Sequence, residues 1–136
     1  MNDSQYFVKF KFADEQIKRY FENALKDLKI AEKTDIPEVK FSYSYNALLK
    51  AGITLVATKK SLKVRSIPGH HMKILQAMGE ILKDTSIFDV CNSMRMKRNL
   101  DLYEGGIVIS EKESRDYFNF AKEVIEKVKN HLRRTR

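Results

Sequence analysis

Residues 94–104 bring together side chains that suit phosphate chemistry. Arg98 carries a permanently charged guanidinium group whose planar fork matches phosphate oxygens. Asn99 can position a hydroxyl or a base edge, and Tyr103, one helical turn further on, can stack on a base or donate a hydrogen bond. Arg98, Asn99 and Tyr103 are therefore the candidate catalytic residues.

The same residues also allow a purely structural interpretation. Ile87, Val90, Cys91 and Met94 recur at helical spacing, and the next inward positions of this apolar stripe are Arg98 and then Asp101 or Leu102. A charge on an inward face costs free energy unless it is paired. Either Arg98 pairs with Asp101 in a non-catalytic structural dimer, or the face opens into a cleft. Residue types alone favour the structural interpretation.

Cleavage of RNA without a metal ion would need a group that accepts the 2′-hydroxyl proton near neutral pH, and this group is normally histidine. Tyrosine, whose ordinary pKa is about 10, is a weak substitute. His70 and His71 are adjacent and point to different helix faces, which makes them poor chelators of one metal ion. We expect hydrogen bonding at a helix start and no metal site. The sequence holds no phosphate-cradling glycine loop, nucleophile elbow or zinc-enzyme histidine pair, so no cofactor is expected.

The charge of the chain points towards polyanionic partners. The 136 residues include 26 basic and 18 acidic side chains, which gives a formal net charge of +8. Basic residues are dense at 59–65, before the histidine pair, and again in the stretch around Arg98. The candidate nucleic-acid-binding residues are Lys63, Arg65, His70, Arg95, Lys97 and Arg98.

Cysteine content and hydropathy bear on the cellular compartment. Cys91 is the single cysteine, so an internal disulfide is excluded, and its place on the apolar stripe predicts a small buried side chain. No N-terminal stretch resembles a signal peptide, and no apolar run is long enough to span a bilayer. We expect a cytoplasmic protein without a membrane partner.

Hydrophobic periodicity predicts an all-α antiparallel up-and-down bundle of four long helices and one shorter helix. The bundle occupies residues 13–136 and follows an N-terminal arm at 1–12. In this arm Tyr6, Val8, Phe10 and Phe12 alternate weakly, which indicates an extended arm or short strand with its apolar side on the bundle or on a partner chain. The helices are predicted at about 14–31, from 37 or 38 to 58, from 70 to 82, from 85 or 86 to 105, and from 111 to about 132.

Several single residues define helix ends and contacts. Gly52 lies on the buried face of the second helix and predicts close approach of a neighbouring helix. Thr85 or Ser86 is expected to cap the fourth helix, and Gly105 to end it. Ser110 and Glu113 form a predicted capping box at the start of the fifth helix.

Helix four resembles the signature helix of HEPN domains (higher eukaryotes and prokaryotes nucleotide-binding), in which an arginine and a polar residue precede a histidine by four to six positions. Arg98 matches the arginine, Asn99 the polar residue, and Tyr103 occupies the histidine position. The resemblance extends over roughly residues 13–132. It includes Tyr45-Asn46-Ala47-Leu48-Leu49, Arg65-Ser66-Ile67-Pro68-Gly69-His70-His71 and Ile109-Ser110-Glu111.

The resemblance implies an all-α bundle that forms a homodimer, with two signature helices around a basic cleft. It also implies a component of a toxin–antitoxin or defence-type module that binds RNA or a nucleotide and has a nucleotidyltransferase as partner protein. Some members of the family are metal-independent endoribonuclease toxins. Arg98 would contact phosphate, Asn99 would orient it, and Tyr103 would stack or donate a hydrogen bond.

Overall fold

The computed structural model describes residues 5–105 and 108–134, without the side chains of residues 100–104. Five helices account for most of the chain, and two three-residue strands form a small sheet. The helices are α1 (Asp14–Lys33), α2 (Pro37–Lys60), α3 (His70–Ile81), α4 (Thr85–Glu104) and α5 (Glu111–Arg134). The strands are β1 (Phe7–Lys9) and β2 (Leu62–Val64). The predicted all-α helical bundle is confirmed.

Helix α2 is the centre of the bundle. It packs against α1, α3 and α5, while α4 packs mainly against α3. Because it is covered on several sides, α2 is apolar around most of its circumference, which is typical of a buried helix. Phe41, Tyr45, Leu48 and Leu55 of α2 are completely buried.

The α2–α3 contact depends on Gly52, as predicted. A Cβ atom built on Gly52 would lie 2.7 Å from Cγ2 of Ile74 on α3. Real Cβ atoms essentially never approach another heavy atom so closely, so any side chain here would push the two helices apart. This contact fixes the position of α3 and of the histidine pair at its start.

Helix α4 begins differently from the sequence prediction. The cap is Asp84, whose carboxylate accepts a hydrogen bond from the backbone N–H of Ser86 at 3.0 Å. The prediction of Thr85 or Ser86 was wrong by one or two positions, because the Ser86 hydroxyl donates to the same carboxylate at 2.6 Å. At the other end, Gly105 has a φ of 79°, as expected of a glycine that ends a helix.

Helix α5 begins with the predicted capping box. The Ser110 hydroxyl accepts a hydrogen bond from the backbone N–H of Glu113 at 3.0 Å, and the Ser110 N–H donates to Oε1 of Glu113 at 3.5 Å. The predicted helix boundaries lie within about two residues of those observed. Cys91 is completely buried, as expected. None of the helices in the described part of the chain is long and apolar enough to cross a membrane.

The N-terminal arm forms a strand, but its buried face differs from the predicted one. Strand β1 pairs with β2 in antiparallel register, with Phe7 opposite Val64. Tyr6 and Phe12 are buried as expected, and Phe7 is buried as well, whereas Val8 is 41% and Phe10 is 42% exposed, so the bundle does not cover these two positions. The reason is that Phe7 and Tyr6 pack together on a small apolar cluster beside α2 and α3. The strand β2 was not predicted.

Candidate functional site

Arg98 continues the apolar stripe of α4 into the bundle. Ile87, Cys91 and Met94 are buried, and Arg98, the next inward position, is half-buried. Its guanidinium carbon lies 5.4 Å from the ring centroid of Tyr45, which places the charge over an aromatic face. The side chains of Asp101 and Tyr103 lie outside the described residues, so their predicted roles stay predictions.

Tyr45 connects this arginine to the histidine pair. Its hydroxyl lies 3.3 Å from Nδ1 of His71 on α3. Burial raises the pKa of Tyr45 to about 12, against the opposing effect of the positive charges of Arg98 and Arg95. The phenol is therefore protonated near neutral pH and can donate its hydrogen to the imidazole nitrogen.

His71 is held in its neutral form. Burial lowers the pKa of His71 to about 4, with further lowering by His70, Arg98 and Arg95. When Nδ1 accepts the hydrogen bond from Tyr45, the ring hydrogen of the neutral histidine is on Nε2. His71 then offers an uncharged N–H donor.

His70 has the opposite tautomer. Its Nδ1 lies 2.7 Å from the backbone carbonyl oxygen of Ile67. A carbonyl oxygen only accepts, so Nδ1 carries the hydrogen and Nε2 of the neutral ring carries the lone pair. The two imidazole rings lie edge to face, with their centroids 4.5 Å apart. Gly69, with a φ of 87°, provides the left-handed turn that starts α3 at this pair.

A cleft lies between the histidine pair and α4. It has a volume of about 380 Å³ and is lined by residues 66–72 together with Arg95 and Asn99 of α4. Arg95 and Asn99 are one helical turn apart, so both face the cleft. The Nε of Arg95 donates to Oδ1 of Asn92 at 3.0 Å, which orients the guanidinium group. Arg98 does not line this cleft; its guanidinium group lies over the ring of Tyr45.

The remaining predicted binding residues lie outside this cleft. The Nζ of Lys97 is 3.6 Å from a carboxylate oxygen of Glu113 on α5. Lys63 places its Nζ 5.5 Å from the ring centroid of Phe10, on the strand pair. Arg65 is exposed. Of the predicted site residues with described side chains, the structure brings together Arg95, Asn99 and His70.

His71 is the cleft residue that sequence reasoning left out of the candidate site. The stretch 65–71 was part of the family resemblance, but it lies more than 20 positions before Arg95 in the sequence. The packing of α3 against α4 brings the two segments together. The adjacency of His71 to His70 was the available signal.

A larger cavity of about 860 Å³ lies elsewhere, between the start of α1 and the ends of α2 and α5. None of the predicted site residues with described side chains lines it. Over residues 5–105 and 108–134, no three histidine, cysteine, aspartate or glutamate side chains come together as a metal site. The smaller cleft is therefore the cavity in which predicted site residues meet, namely Arg95, Asn99 and His70.

Comparisons of the chain with protein-family models, with curated proteins and with solved structures found no match. The likeness to HEPN domains accordingly rests on the sequence stretches quoted above.

Proposed function

We propose that this chain is a HEPN-like protein that binds RNA or a nucleotide in the cleft between residues 66–72 and α4. The observation that carries the proposal is that Arg95 and Asn99 line one cleft with His70 and His71. These are a fixed cation, an amide and two imidazole rings, the side-chain types that bind phosphate and sugar oxygens.

Each group has a distinct part in binding. Arg95 binds a phosphate oxygen, and Asn99, which is exposed at the mouth of the cleft, orients the sugar or a base edge. The Nε2–H of His71 adds a neutral donor that needs no proton uptake at physiological pH. Arg98, whose guanidinium group lies over the ring of Tyr45, adds positive electrostatic potential at His71. The net charge of +8 adds salt-dependent attraction for a polyanion.

Fluorescence anisotropy with a labelled single-stranded RNA tests this proposal. Arg95→Ala is expected to weaken binding at least about tenfold, because a hydrogen bond to a charged group contributes roughly 1.5–3 kcal/mol. Arg115→Ala is the matched control, since it removes the same charge from an exposed position of α5. Equal affinity of Arg95→Ala and Arg115→Ala would contradict the proposal.

Arg98→Ala separates binding from the structural alternative. If the binding proposal is correct, Arg98→Ala weakens RNA affinity less than Arg95→Ala does, because Arg98 does not line the cleft. In a non-catalytic structural dimer, Arg98→Ala instead lowers the molecular mass measured by sedimentation and leaves RNA affinity unchanged.

The family resemblance extends the proposal to the assembly. The protein acts as a homodimer within a toxin–antitoxin or defence-type module, and its partner is a nucleotidyltransferase. Sedimentation equilibrium tests the dimer. Co-purification with a nucleotidyltransferase encoded in a neighbouring reading frame tests the partner.

Metal-independent RNA cleavage is the second candidate, and the tautomer of His70 favours it. The Nε2 lone pair of His70 can accept the proton of a 2′-hydroxyl while the O2′–P bond forms and the P–O5′ bond breaks. The leaving O5′ takes a proton from solvent, and Arg95 stabilises the negative charge that develops on the phosphate oxygens. The products are a 2′,3′-cyclic phosphate and a 5′-hydroxyl.

A further inference from the structure

We infer that a second cavity, beside the cleft, is a subsite for one unpaired nucleobase of the ligand. The inference rests on the proposed function and specifies its ligand as a nucleotide whose base is not paired. The cavity has a volume of about 230 Å³ and lies between α1, α2, β2 and the start of α3. Ser66, His70 and His71 line both this cavity and the cleft.

The shared walls make the two spaces parts of one site. His70 and His71 line both spaces, whereas Arg95 lines only the cleft. In the proposed arrangement, a phosphate bound by Arg95 occupies the cleft and the base attached to it occupies the adjoining second cavity.

The walls of the second cavity suit an aromatic ring. They are mainly apolar and aromatic, and the lining includes Phe12, Tyr20, Leu49, Ile53 and Val64. The rings of Phe12 and Tyr20 lie edge to face with their centroids 5.5 Å apart, and both residues line the cavity. An apolar cavity of roughly 150 Å³ is enough to hold benzene, so 230 Å³ accommodates one base.

A few polar groups are placed to orient that base. Ser66 provides a hydroxyl beside the two histidines on the lining, and Lys63, whose Nζ lies 5.5 Å from the ring centroid of Phe10, is also a lining residue. An apolar pocket with a small number of polar groups is the usual form of a small-molecule site. A base inside it must leave its stack and its pairing partner, so a continuous duplex is excluded as the ligand.

The experiment compares three labelled RNAs of equal length with the wild-type protein. One is single-stranded, one is the same strand with abasic positions, and one is a duplex. We expect the abasic strand and the duplex to bind roughly tenfold more weakly than the single strand, since contact with an aromatic side chain contributes this much per base. A free mononucleotide that competes as well as the strand identifies a nucleotide as the ligand, and weaker competition identifies an RNA strand. With either ligand, weaker binding of the abasic strand supports the subsite.

A pair of tyrosine variants locates the effect. Tyr20→Ala is expected to remove the difference between the single strand and the abasic strand. Tyr43→Ala, at a half-buried tyrosine of α2 that is not on the lining, retains it. If wild-type protein binds the intact and abasic strands equally, the subsite is disproved while the proposed function stands. If neither strand binds, the proposed function fails and the subsite with it.

Discussion

The hydroxyl of Tyr45 lies 3.3 Å from Nδ1 of His71, and this contact joins the buried core of α2 to the lining of the cleft. Tyr45 is completely buried, whereas His71 is half-buried at the start of α3. The Arg98 guanidinium covers the ring of the same tyrosine. We therefore expect a change at Tyr45 in the core to alter the pKa of His71 in the cleft.

Tyr45→Phe is expected to raise the pKa of His71 from its value of about 4. The phenol hydrogen stabilises only the neutral imidazole, in which Nδ1 has a free lone pair. A net hydrogen bond of about 1 kcal/mol corresponds to a shift of up to about one pH unit. NMR titration of the imidazole signals measures the shift, with Tyr43→Phe as the control. An unchanged His71 pKa would show that the hydroxyl does not donate to Nδ1.

His71 is expected to make the protein less stable in mild acid. Its pKa is about 4 in the folded chain, against an ordinary value of 6.5, so the unfolded chain binds more protons between these pH values. The contribution of the neutral side chain to the free energy of unfolding is complete above about pH 6.5. It declines as the pH falls towards about 4.

Urea denaturation at about pH 7 and pH 5 tests this dependence. The loss of unfolding free energy between the two pH values should be smaller in His71→Gln than in the wild type. His131→Gln is the comparison variant, because burial also lowers the pKa of His131. His131 is present in both the wild type and His71→Gln, so its contribution cancels between them. The same pH dependence in wild type and His71→Gln would mean that His71 is not held neutral by the fold.

Gly52→Ala is expected to destabilise the protein by about 1–2 kcal/mol. The new Cβ would collide with Cγ2 of Ile74 at 2.7 Å, and overpacking of this kind costs roughly 1–3 kcal/mol. The better helix propensity of alanine offsets at most about 1 kcal/mol of that cost. Gly79→Ala is the control, since its Cβ would meet atoms no closer than 3.4 Å. Thermal unfolding that ranks Gly52→Ala as the more stable variant would contradict the close approach.

His70→Gln tests the cleavage candidate. If Nε2 of His70 accepts the 2′-hydroxyl proton, the variant should cleave RNA at least about a hundredfold more slowly, as is typical of the loss of a general base. The assay contains a chelator and follows the appearance of 2′,3′-cyclic phosphate ends. His131→Gln is the matched control, as it changes a histidine remote from the cleft lining. Cleavage at the wild-type rate by His70→Gln would exclude His70 as the base.

The helices were predictable because local signals agree with the final fold. The period of apolar residues places α1, α2 and α5, and Gly105 and Ser110 mark helix ends with residue types that suit those positions. The cap of α4 was missed because Asp84, Thr85 and Ser86 are all good capping residues, and only the geometry of the turn selects among them.

The strand pair was not predictable as a pair, because three residues are too few to establish an alternating pattern. Phe7 is buried in place of Val8 because the strand lies on a surface formed by α2 and α3, which is a tertiary property.

Half of the candidate site could be predicted, and the other half depends on packing. Arg98 could be predicted as a site residue because it interrupts an apolar stripe, and its guanidinium group lies over the ring of Tyr45. The meeting of His70 with Arg95 and Asn99 requires α3 to lie against α4, which no local pattern specifies. The tautomers of the two histidines also depend on their hydrogen-bond partners. The partner of His71 is Tyr45, which is distant in the sequence, and the partner of His70 is the backbone carbonyl of Ile67, so residue types alone do not reveal either tautomer.

The N-terminal segment supports the cleft without lining it, because Tyr6 contacts the residues that precede the histidine pair. The carbonyl oxygen of Tyr6 accepts a hydrogen bond from the Arg65 N–H at 2.7 Å, and the Tyr6 hydroxyl lies 3.4 Å from where a Cβ atom of Gly69 would stand. Tyr6 thus braces the turn from which the histidine pair projects. A protease cut after Lys9 or Lys11 would separate Tyr6 from the rest of the chain, so we expect the turn at Gly69 to depend on an intact peptide between Tyr6 and α1.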